Sequence, residues 1–272
     1  MKRSTTAAMT ILFGAMVLPG IALAVPQTKA QQKCINALNK SMAKVANAQN
    51  KANAKCVKAR AKDGTTDVFM CADGDAKVAA AQAKTLQQES KACGVQAPDF
   101  GYTSGGSVNN RAAYEASDFP GDVFGTNAGV AACDADKAAC KCQGKVFKAA
   151  NKIYKTHLKT YNKCKKKGLS AKNAPFEDAE DLAQCVADDP NGKIAKAESK
   201  LTGAISTKCN GVASPFTDGE CAALTGPALS MCLQERVRCH ACLTESLSDD
   251  LDVNCDLVDD GDDKNGSCFD EF

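Results

Sequence analysis

The sequence has few of the residues that build large apolar cores or catalytic sites for neutral pH. Its 272 residues include no tryptophan, four tyrosines and ten phenylalanines, so aromatic side chains supply little of any core. Only two histidines are present, and histidine is the side chain whose ordinary pKa suits proton transfer near neutral pH. The sequence contains no HExxH motif, no phosphate-binding glycine loop and no recognisable Ser/His/Asp arrangement. The sequence therefore predicts a protein that is not an enzyme.

Long apolar runs are also missing, except at the N-terminus. Lys2 and Arg3 precede an apolar stretch over residues 7–24 that ends in the small-x-small pattern Ala-Leu-Ala. These features are typical of a cleaved signal peptide over residues 1–24, and an uncleaved membrane anchor is the alternative. No later segment reaches the ~18 continuous apolar residues that a transmembrane helix needs. The sequence predicts a secreted, periplasmic or cell-envelope protein with no membrane span after cleavage.

The net charge of the whole chain is only +2, and residues 25–272 are neutral, but the charges are unevenly distributed. Residues 25–172 hold 25 basic and 11 acidic side chains, whereas residues 173–272 hold 7 basic and 21 acidic ones. These opposite net charges predict attraction within a molecule or between neighbouring molecules. Head-to-tail attraction between copies would build a chain or fibre unless it closes.

Cysteine, in contrast, is abundant, with 16 residues. In an exported protein an even number of cysteines is typical of a disulfide framework. Cys34 and Cys56 lie twenty-two residues apart in a stretch rich in Ala, Lys and Asn, without proline or glycine. This stretch predicts one helix, which holds the two thiols roughly 33 Å apart, too far to bond. Each cysteine therefore needs a partner on a second element.

The same spacing recurs downstream and supplies the partners. Cys71 and Cys93 are again twenty-two residues apart, and a chain reversal at residues 63–64 would place them opposite the first pair. An antiparallel helical hairpin closed by Cys34–Cys93 and Cys56–Cys71 follows. Because alanine dominates the inner faces, we expect each disulfide to replace part of a weak core, contributing ~2–4 kcal/mol.

A second hairpin repeats this pattern. Cys142 and Cys164 are also twenty-two residues apart, 108 residues after the first pair. Their predicted return helix runs from Cys185 to Cys209 and, like the first, begins with an acidic turn. The predicted bonds are Cys142–Cys209 and Cys164–Cys185.

The other eight cysteines have no partner that spacing assigns. They are Cys133, Cys140, Cys221, Cys232, Cys239, Cys242, Cys255 and Cys268. The spacing of seven within Cys133/Cys140 and Cys232/Cys239 suits two short cross-linked helices, and a Cys255–Cys268 bond would close the acidic tail. Cys239 and Cys242 form a CxxC pair that can carry redox chemistry. Without an alternating strand–helix pattern around it, structural pairing is the preferred interpretation.

The predicted fold is all-α, with five segments along the chain. They are a signal peptide (1–24), a first helical hairpin (25–94), a loop insertion rich in Gly, Ser and aromatic residues (95–132), a second hairpin (133–211) and a Cys-rich helical cap with an acidic tail (212–272). The aromatic side chains of the insertion either pack over the open end of a hairpin or contact a ligand.

Lysines recur along two of the predicted helices at helical spacing. They are Lys33, Lys40, Lys44, Lys51 and Lys55 on the first helix, and Lys145, Lys148, Lys152, Lys155 and Lys159 on the third. Such a stripe is typical either of a solvated outer face or of a surface that binds an anionic polymer or lipid, such as polysaccharide, nucleic acid or phospholipid. The scarcity of arginine argues against a specific nucleic-acid motif.

The acidic C-terminal stretch contains a calcium candidate. It does not fit an EF-hand, because Val258 and Ser267 stand at two ligand positions. A different calcium site would use Asp256, Asp259, Asp260 and Asp262, and the alternative is a solvated acidic tail. Zinc is not expected, since oxidised cysteines are not ligands.

The lysine-rich Cys–x21–Cys helices and the ending VRCHACLTESLSDDLDVNCDLVDDGDDKNGSC resemble secreted bacterial Cys-rich, Lys-rich helical-hairpin repeat proteins. The resemblance covers most of the chain after residue 24, implies an exported bacterial protein and transfers no functional residue. Together these patterns predict a disulfide-stabilised structural or interaction protein that self-associates through its charged portions. The alternative function is a binding module for anionic polymers or lipids.

Overall fold

The computed structural model describes residues 27–94, 97–125, 136–170, 176–212, 216, 219–262 and 266–268. Within these residues the chain forms helices and no strand, which confirms the predicted all-α class. The helices are α1 (Lys29–Asp63), α2 (Val68–Ala72), α3 (Ala76–Ala92), α4 (Gly105–Phe124), α5 (Lys137–Gly168), α6 (Ala179–Ala187), α7 (Lys193–Lys208), α8 (Gly226–Asp249) and α9 (Cys255–Asp259). The predicted signal segment lies outside the described residues. None of these helices is long and apolar enough to cross a bilayer.

Disulfides close both hairpins at each end. α1 packs against α3, and α5 packs against α7. The bonds are Cys34–Cys93, Cys56–Cys71, Cys142–Cys209 and Cys164–Cys185. All four pairs are those that the cysteine spacing predicts, so a rigid helix and the short reach of a disulfide are enough to assign them.

Local signals set the limits of α1. Thr28 and Gln31 form a capping box at its start, and Gly64 ends it in the left-handed region at φ 65°. That conformation favours glycine, and the Gly64 N–H donates to the Arg60 carbonyl. Between these ends Leu38 and Met42 are at most 2 % exposed, so the apolar stripe of the helix faces the core.

The segment 95–132, expected to be a loop insertion, contains the twenty-residue helix α4. Val108, Ala112, Ala116, Phe119 and Val123 recur on one face of it and are at most 1 % exposed. The loop prediction was wrong there because the Gly-, Ser- and Asn-rich start of α4 is typical of turns, whereas burial of this apolar face stabilises helix.

α4 also contains an internal proline, whose missing N–H is compensated by another helix. Pro120 has no N–H for the carbonyl of residue 116, the usual acceptor one turn earlier. The Asn53 side chain of α1 donates to the Ala116 carbonyl instead, at 2.6 Å. This bond satisfies a buried acceptor and ties α4 to α1.

α1, α4, α5 and α8 form a four-helix arrangement in which α1 contacts α4 and α5, and α8 contacts the same two helices. Asn162, late in α5, donates to the carbonyl of Asn39, early in α1, so these helices are antiparallel. Asp122, late in α4, pairs with Arg236, early to middle in α8, so α4 and α8 are antiparallel too. The chain is therefore a tandem repeat, α1–α4 followed by α5–α8, and α8 is the counterpart of α4.

The C-terminal cysteines pair differently from the sequence-based suggestions. The bonds are Cys221–Cys232, Cys239–Cys268 and Cys242–Cys255. A Cys255–Cys268 bond and a link through Cys232 and Cys239 are thus both wrong, because α8 presents its cysteines to the loop before it and to the chain after it. Cys140 is disulfide-bonded as well, and Cys133 lies outside the described residues.

Candidate functional site

The surface between α1 and α5 is a long groove, which we call the lysine groove. It comprises two adjoining cavities of about 750 and 930 Å³ that share Asn47, Lys51 and Lys155. Its walls carry Lys40, Lys44, Lys51, Lys55, Lys58, Lys77, Lys141, Lys145, Lys148, Lys152, Lys155, Lys159, Lys163 and Lys193. Asp75 is the single acidic residue among the lining side chains.

The groove forms because two lysine stripes run side by side. On α5 a lysine occurs at every third or fourth position from Lys141 to Lys163, which places them on one face. α1 carries a similar stripe from Lys40 to Lys58, and the antiparallel packing aligns the two. At 1.5 Å per residue, the α5 stripe is roughly 33 Å long. An extended ligand therefore fits better than a compact one.

The positive charges of the groove are close enough to influence one another. Partial burial and the charges of Lys159, Lys51 and Lys152 lower the pKa of Lys155. Across the second cavity, Lys193 lowers the pKa of Lys163. Within the described part of the chain, Lys55 is the one groove lysine with an ion-pair partner, Asp75 at 3.0 Å. A bound polyanion would relieve this repulsion.

The floor of the groove is made of small and amide side chains. Ala54, Val57, Ala61 and Gly144 line one end, with the edge of Phe147, which is 3 % exposed. Asn50 and Asn151 lie at the same end, and the amide oxygen of each is buried without a hydrogen-bond partner among the described residues. The floor therefore contains two buried amide oxygens that the described residues leave unpaired.

Nine of the ten lysines singled out from the sequence line this groove. They are Lys40, Lys44, Lys51, Lys55, Lys145, Lys148, Lys152, Lys155 and Lys159. Lys33 is exposed outside it. Sequence reasoning missed Lys58, which continues the α1 stripe one turn further. It also missed Lys77 and Lys193, each in the first turn of a return helix, because their approach to the groove depends on tertiary packing.

A contrasting charged cluster lies between α4 and α8. Arg236 makes two hydrogen bonds to Asp122, at 2.9 and 3.1 Å, and the His240 ring lies 2.9 Å from Asp122 and 3.7 Å from Glu115. Burial alone would lower the pKa of His240, but Asp122 and Glu115 raise it to about 9. His240 and Arg236 in turn overcome the effect of burial at Asp122 and lower its pKa to about 2. This cluster holds the two repeats together.

A second buried charge pair lies inside the bundle. Lys165 donates to Asp249, and Asn39 of α1 donates to the same carboxylate at 3.2 Å. Burial lowers the pKa of Lys165 and raises that of Asp249, and each residue opposes the shift of the other. Burial also raises the pKa of the neighbouring Glu245 well above its ordinary value. These side chains are enclosed, so they stabilise the bundle and offer no open site.

The calcium candidates do not converge. The Asp256 carboxylate accepts from the backbone N–H groups of Gly266 and Cys268, and the Asp259 carboxylate accepts from Ser267. Among the described residues no three of Asp256, Asp259, Asp260 and Asp262 bring their oxygens within ligating distance of one another. These carboxylates order the C-terminal loop, and the calcium site stays a prediction.

The two cysteines of the CxxC motif are not bonded to each other. Cys239 is bonded to Cys268 and Cys242 to Cys255, so the two sulfurs of the motif belong to different disulfides. The only His/Cys/Asp/Glu group with metal-like geometry in the described residues combines Cys239 and Cys268 with Asp259. Since those two sulfurs are bonded to each other, it is not a metal site. The lysine groove remains the strongest candidate site.

No protein-family model, curated protein or solved structure matches the chain.

Proposed function

We propose that the protein binds a linear anionic polymer along the lysine groove. The observation that carries the proposal is the charge of the groove, fourteen lysines and one aspartate along roughly 33 Å of helix surface. Binding a polyanion to such a surface releases counterions, which gives affinity without a precise pocket. The protein acts by binding and not by catalysis.

Export fits this role. Every cysteine within the described residues is disulfide-bonded, and disulfides persist in oxidising compartments. The apolar segment at residues 7–24 would direct the chain there. A disulfide-bonded helical protein with a cationic groove of fixed shape would then be able to bind polymers of the cell surface or its surroundings.

A groove variant and a control variant with the same change of charge distinguish binding at the groove from general electrostatic attraction. The groove variant combines Lys51→Gln, Lys148→Gln, Lys152→Gln and Lys155→Gln. The control combines Lys84→Gln, Lys91→Gln, Lys200→Gln and Lys208→Gln, which are exposed on α3 and α7 outside the groove. Affinity for immobilised heparin is measured across a salt series. We expect the groove variant to lose about tenfold in affinity and to show a shallower salt dependence, whereas the control stays close to the parent. Equal losses in both variants would refute the groove as the site.

Self-association is the second candidate. The acidic side chains Glu177, Glu180 and Asp181 are exposed at the start of α6, and Asp260 and Asp262 are exposed at the end of α9. Because α6 contacts α9, these charges form one acidic surface that is complementary to the groove of another copy. Sedimentation at low salt without polymer tests this. Concentration-dependent assembly that the groove variant abolishes supports it, and a monomer at all concentrations rejects it.

A further inference from the structure

We infer that the polymer is an acidic polysaccharide, a sugar chain bearing carboxylate or sulfate groups. This inference rests on the proposed polyanion binding and names the ligand class for the same groove. It depends on three features of the described lining residues. Their cations are lysines and not arginines, they offer no accessible aromatic ring, and asparagine amides lie between the lysines.

The groove lacks the groups that bind nucleobases. Single-stranded nucleic acids are held by bases stacked on exposed aromatic rings or arginine planes. Among the described lining residues Phe147 is the only aromatic one, and it is 3 % exposed beneath the floor. None of those lining residues is arginine. The groove can attract phosphates, but it has nothing on which a base can stack.

Amide side chains alternate with the lysines along the groove. Asn47, Asn50, Asn151 and Asn162 line it. Asn47 and Asn162 donate through their amide nitrogens to the carbonyls of Ala43 and Leu158 within their own helices, which leaves the amide oxygens for a ligand. The oxygens of Asn50 and Asn151 have no partner among the described residues. Those two oxygens are buried beneath the surface, so the groove combines its ammonium donors with the amide acceptors of Asn47 and Asn162.

A polymer that pairs with both the lysine ammonium groups and the asparagine oxygens carries anionic groups and hydroxyl donors together. DNA and polyphosphate backbones offer acceptor oxygens and no hydroxyl donors along the chain, so the amide oxygens would stay unpaired, which is unfavourable in a partly desolvated site. Sugar rings with carboxylate or sulfate groups supply an anion and hydroxyls on each unit. The small floor residues Ala54 and Gly144 leave room for such a ring to approach.

Gly144 provides a steric test that changes no charge. It is exposed in α5, and a Cβ at this position meets no atom within 4 Å, so a larger side chain would occupy the groove without disturbing the fold. Gly203 in α7 is also exposed and equally open, but it lies outside the groove. Gly144→Leu is therefore the test variant and Gly203→Leu its matched control, with Asn47→Leu removing one amide that lines the groove.

The experiment measures affinities of the full chain for heparin, alginate, uncharged dextran, oligo(dT) and polyphosphate at one ionic strength. We expect heparin and alginate to bind about tenfold more tightly than oligo(dT) and polyphosphate, and dextran to bind least. Gly144→Leu and Asn47→Leu should each weaken binding of the two acidic polysaccharides about fivefold to tenfold, with Gly203→Leu unchanged.

The outcomes separate this inference from the proposed function. If oligo(dT) or polyphosphate binds as tightly as the acidic polysaccharides, and through the groove lysines, the ligand class is wrong and polyanion binding stands. If none of the four anionic polymers binds, both fail. Binding of heparin without alginate keeps the inference and assigns the anionic group as sulfate, and the reverse assigns it as carboxylate.

Discussion

The two repeats meet at two interfaces with opposite electrostatic character. Where α1 meets α5, both surfaces carry lysine and the charges lower one another's pKa, as at Lys155. Where α4 meets α8, an acidic surface with Glu115 and Asp122 meets Arg236 and His240. Like charges leave one interface open at its outer edge as a groove, and opposite charges close the other. One tandem arrangement thus provides both a cohesive contact and an accessible cationic surface.

The buried charge pair between α5 and α8 should have the largest effect on stability. Lys165→Ala leaves the carboxylate of Asp249 buried without its cation, so we expect a loss of about 3–5 kcal/mol in the free energy of unfolding. Lys166→Ala, one position on and exposed, serves as the control and should change stability by about 0.5 kcal/mol or less. Urea titrations measure both. A Lys165→Ala effect as small as that of the control would mean that the bundle does not depend on this pair.

The cluster around His240 predicts a pH-dependent closed interface. The pKa of His240 is raised to about 9, so its contribution is fully present below pH 6.5 and is lost as the pH rises through 9. At 1.36 kcal/mol per pKa unit this amounts to about 3 kcal/mol. The stability difference between the parent and His240→Gln should therefore shrink between pH 6.5 and 9.

His157 should give the opposite pH dependence when stability is measured in the same way. Burial and the charge of Arg238 lower its pKa to about 3, so its contribution is present above pH 6.5 and is lost as the pH falls toward 3. The parent and His157→Gln should differ in pH dependence below pH 6.5 and not above it. Identical profiles for the two histidine variants would contradict the assignment of His240 to an ion cluster.

Equivalence of the two repeats can be tested through their disulfides. Cys34–Cys93 and Cys142–Cys209 close loops of 59 and 67 residues, whereas Cys56–Cys71 and Cys164–Cys185 close loops of 15 and 21. Loop entropy predicts that removing a long-loop bond costs about 1 kcal/mol more than removing the short-loop bond of the same repeat. Thermal unfolding of the four paired Cys→Ala variants measures this. If the difference in stability between the long-loop and short-loop variants is not the same in the two repeats, the disulfides do not stabilise the two repeats equally.

The smallest change in stability, a gain and not a loss, is expected for a substitution in the groove. Lys155→Met removes a partly buried cation surrounded by other lysines, so we expect a gain of about 0.3 kcal/mol in stability together with weaker polyanion binding. Arg236→Met at the closed interface should instead destabilise the protein. Loss of stability in Lys155→Met would show that groove lysines stabilise the fold and would weaken the contrast between the interfaces.

Sequence reasoning reached the parts of the fold that depend on rigid local geometry. A helix of known rise separates Cys34 from Cys56 by more than a disulfide can span, and this is enough to find both hairpins. α4 was missed, although Val108, Ala112, Ala116 and Phe119 recur on one helical face, because Gly105, Gly106 and Pro120 are typical of loops. The pairing of Cys239 with Cys268 depends on how the tail folds back, and no local pattern records that.

The same division applies to the site. Each lysine stripe was visible in the sequence, but their alignment into one groove required the antiparallel packing of α1 on α5. The unpartnered amides of Asn50 and Asn151 were not recognisable either, because Asn is common on solvated helices and only burial distinguishes these two.

The seven described disulfides are nested or consecutive, and none crosses another or joins the two repeats. An oxidase acting on cysteines in order of emergence would join Cys34 to Cys56, a bond that the intervening helix forbids. The native bonds of each hairpin can form only after the two helices of that hairpin lie side by side. Because none of the seven bonds joins the two repeats, each repeat can complete its described disulfides independently of the other.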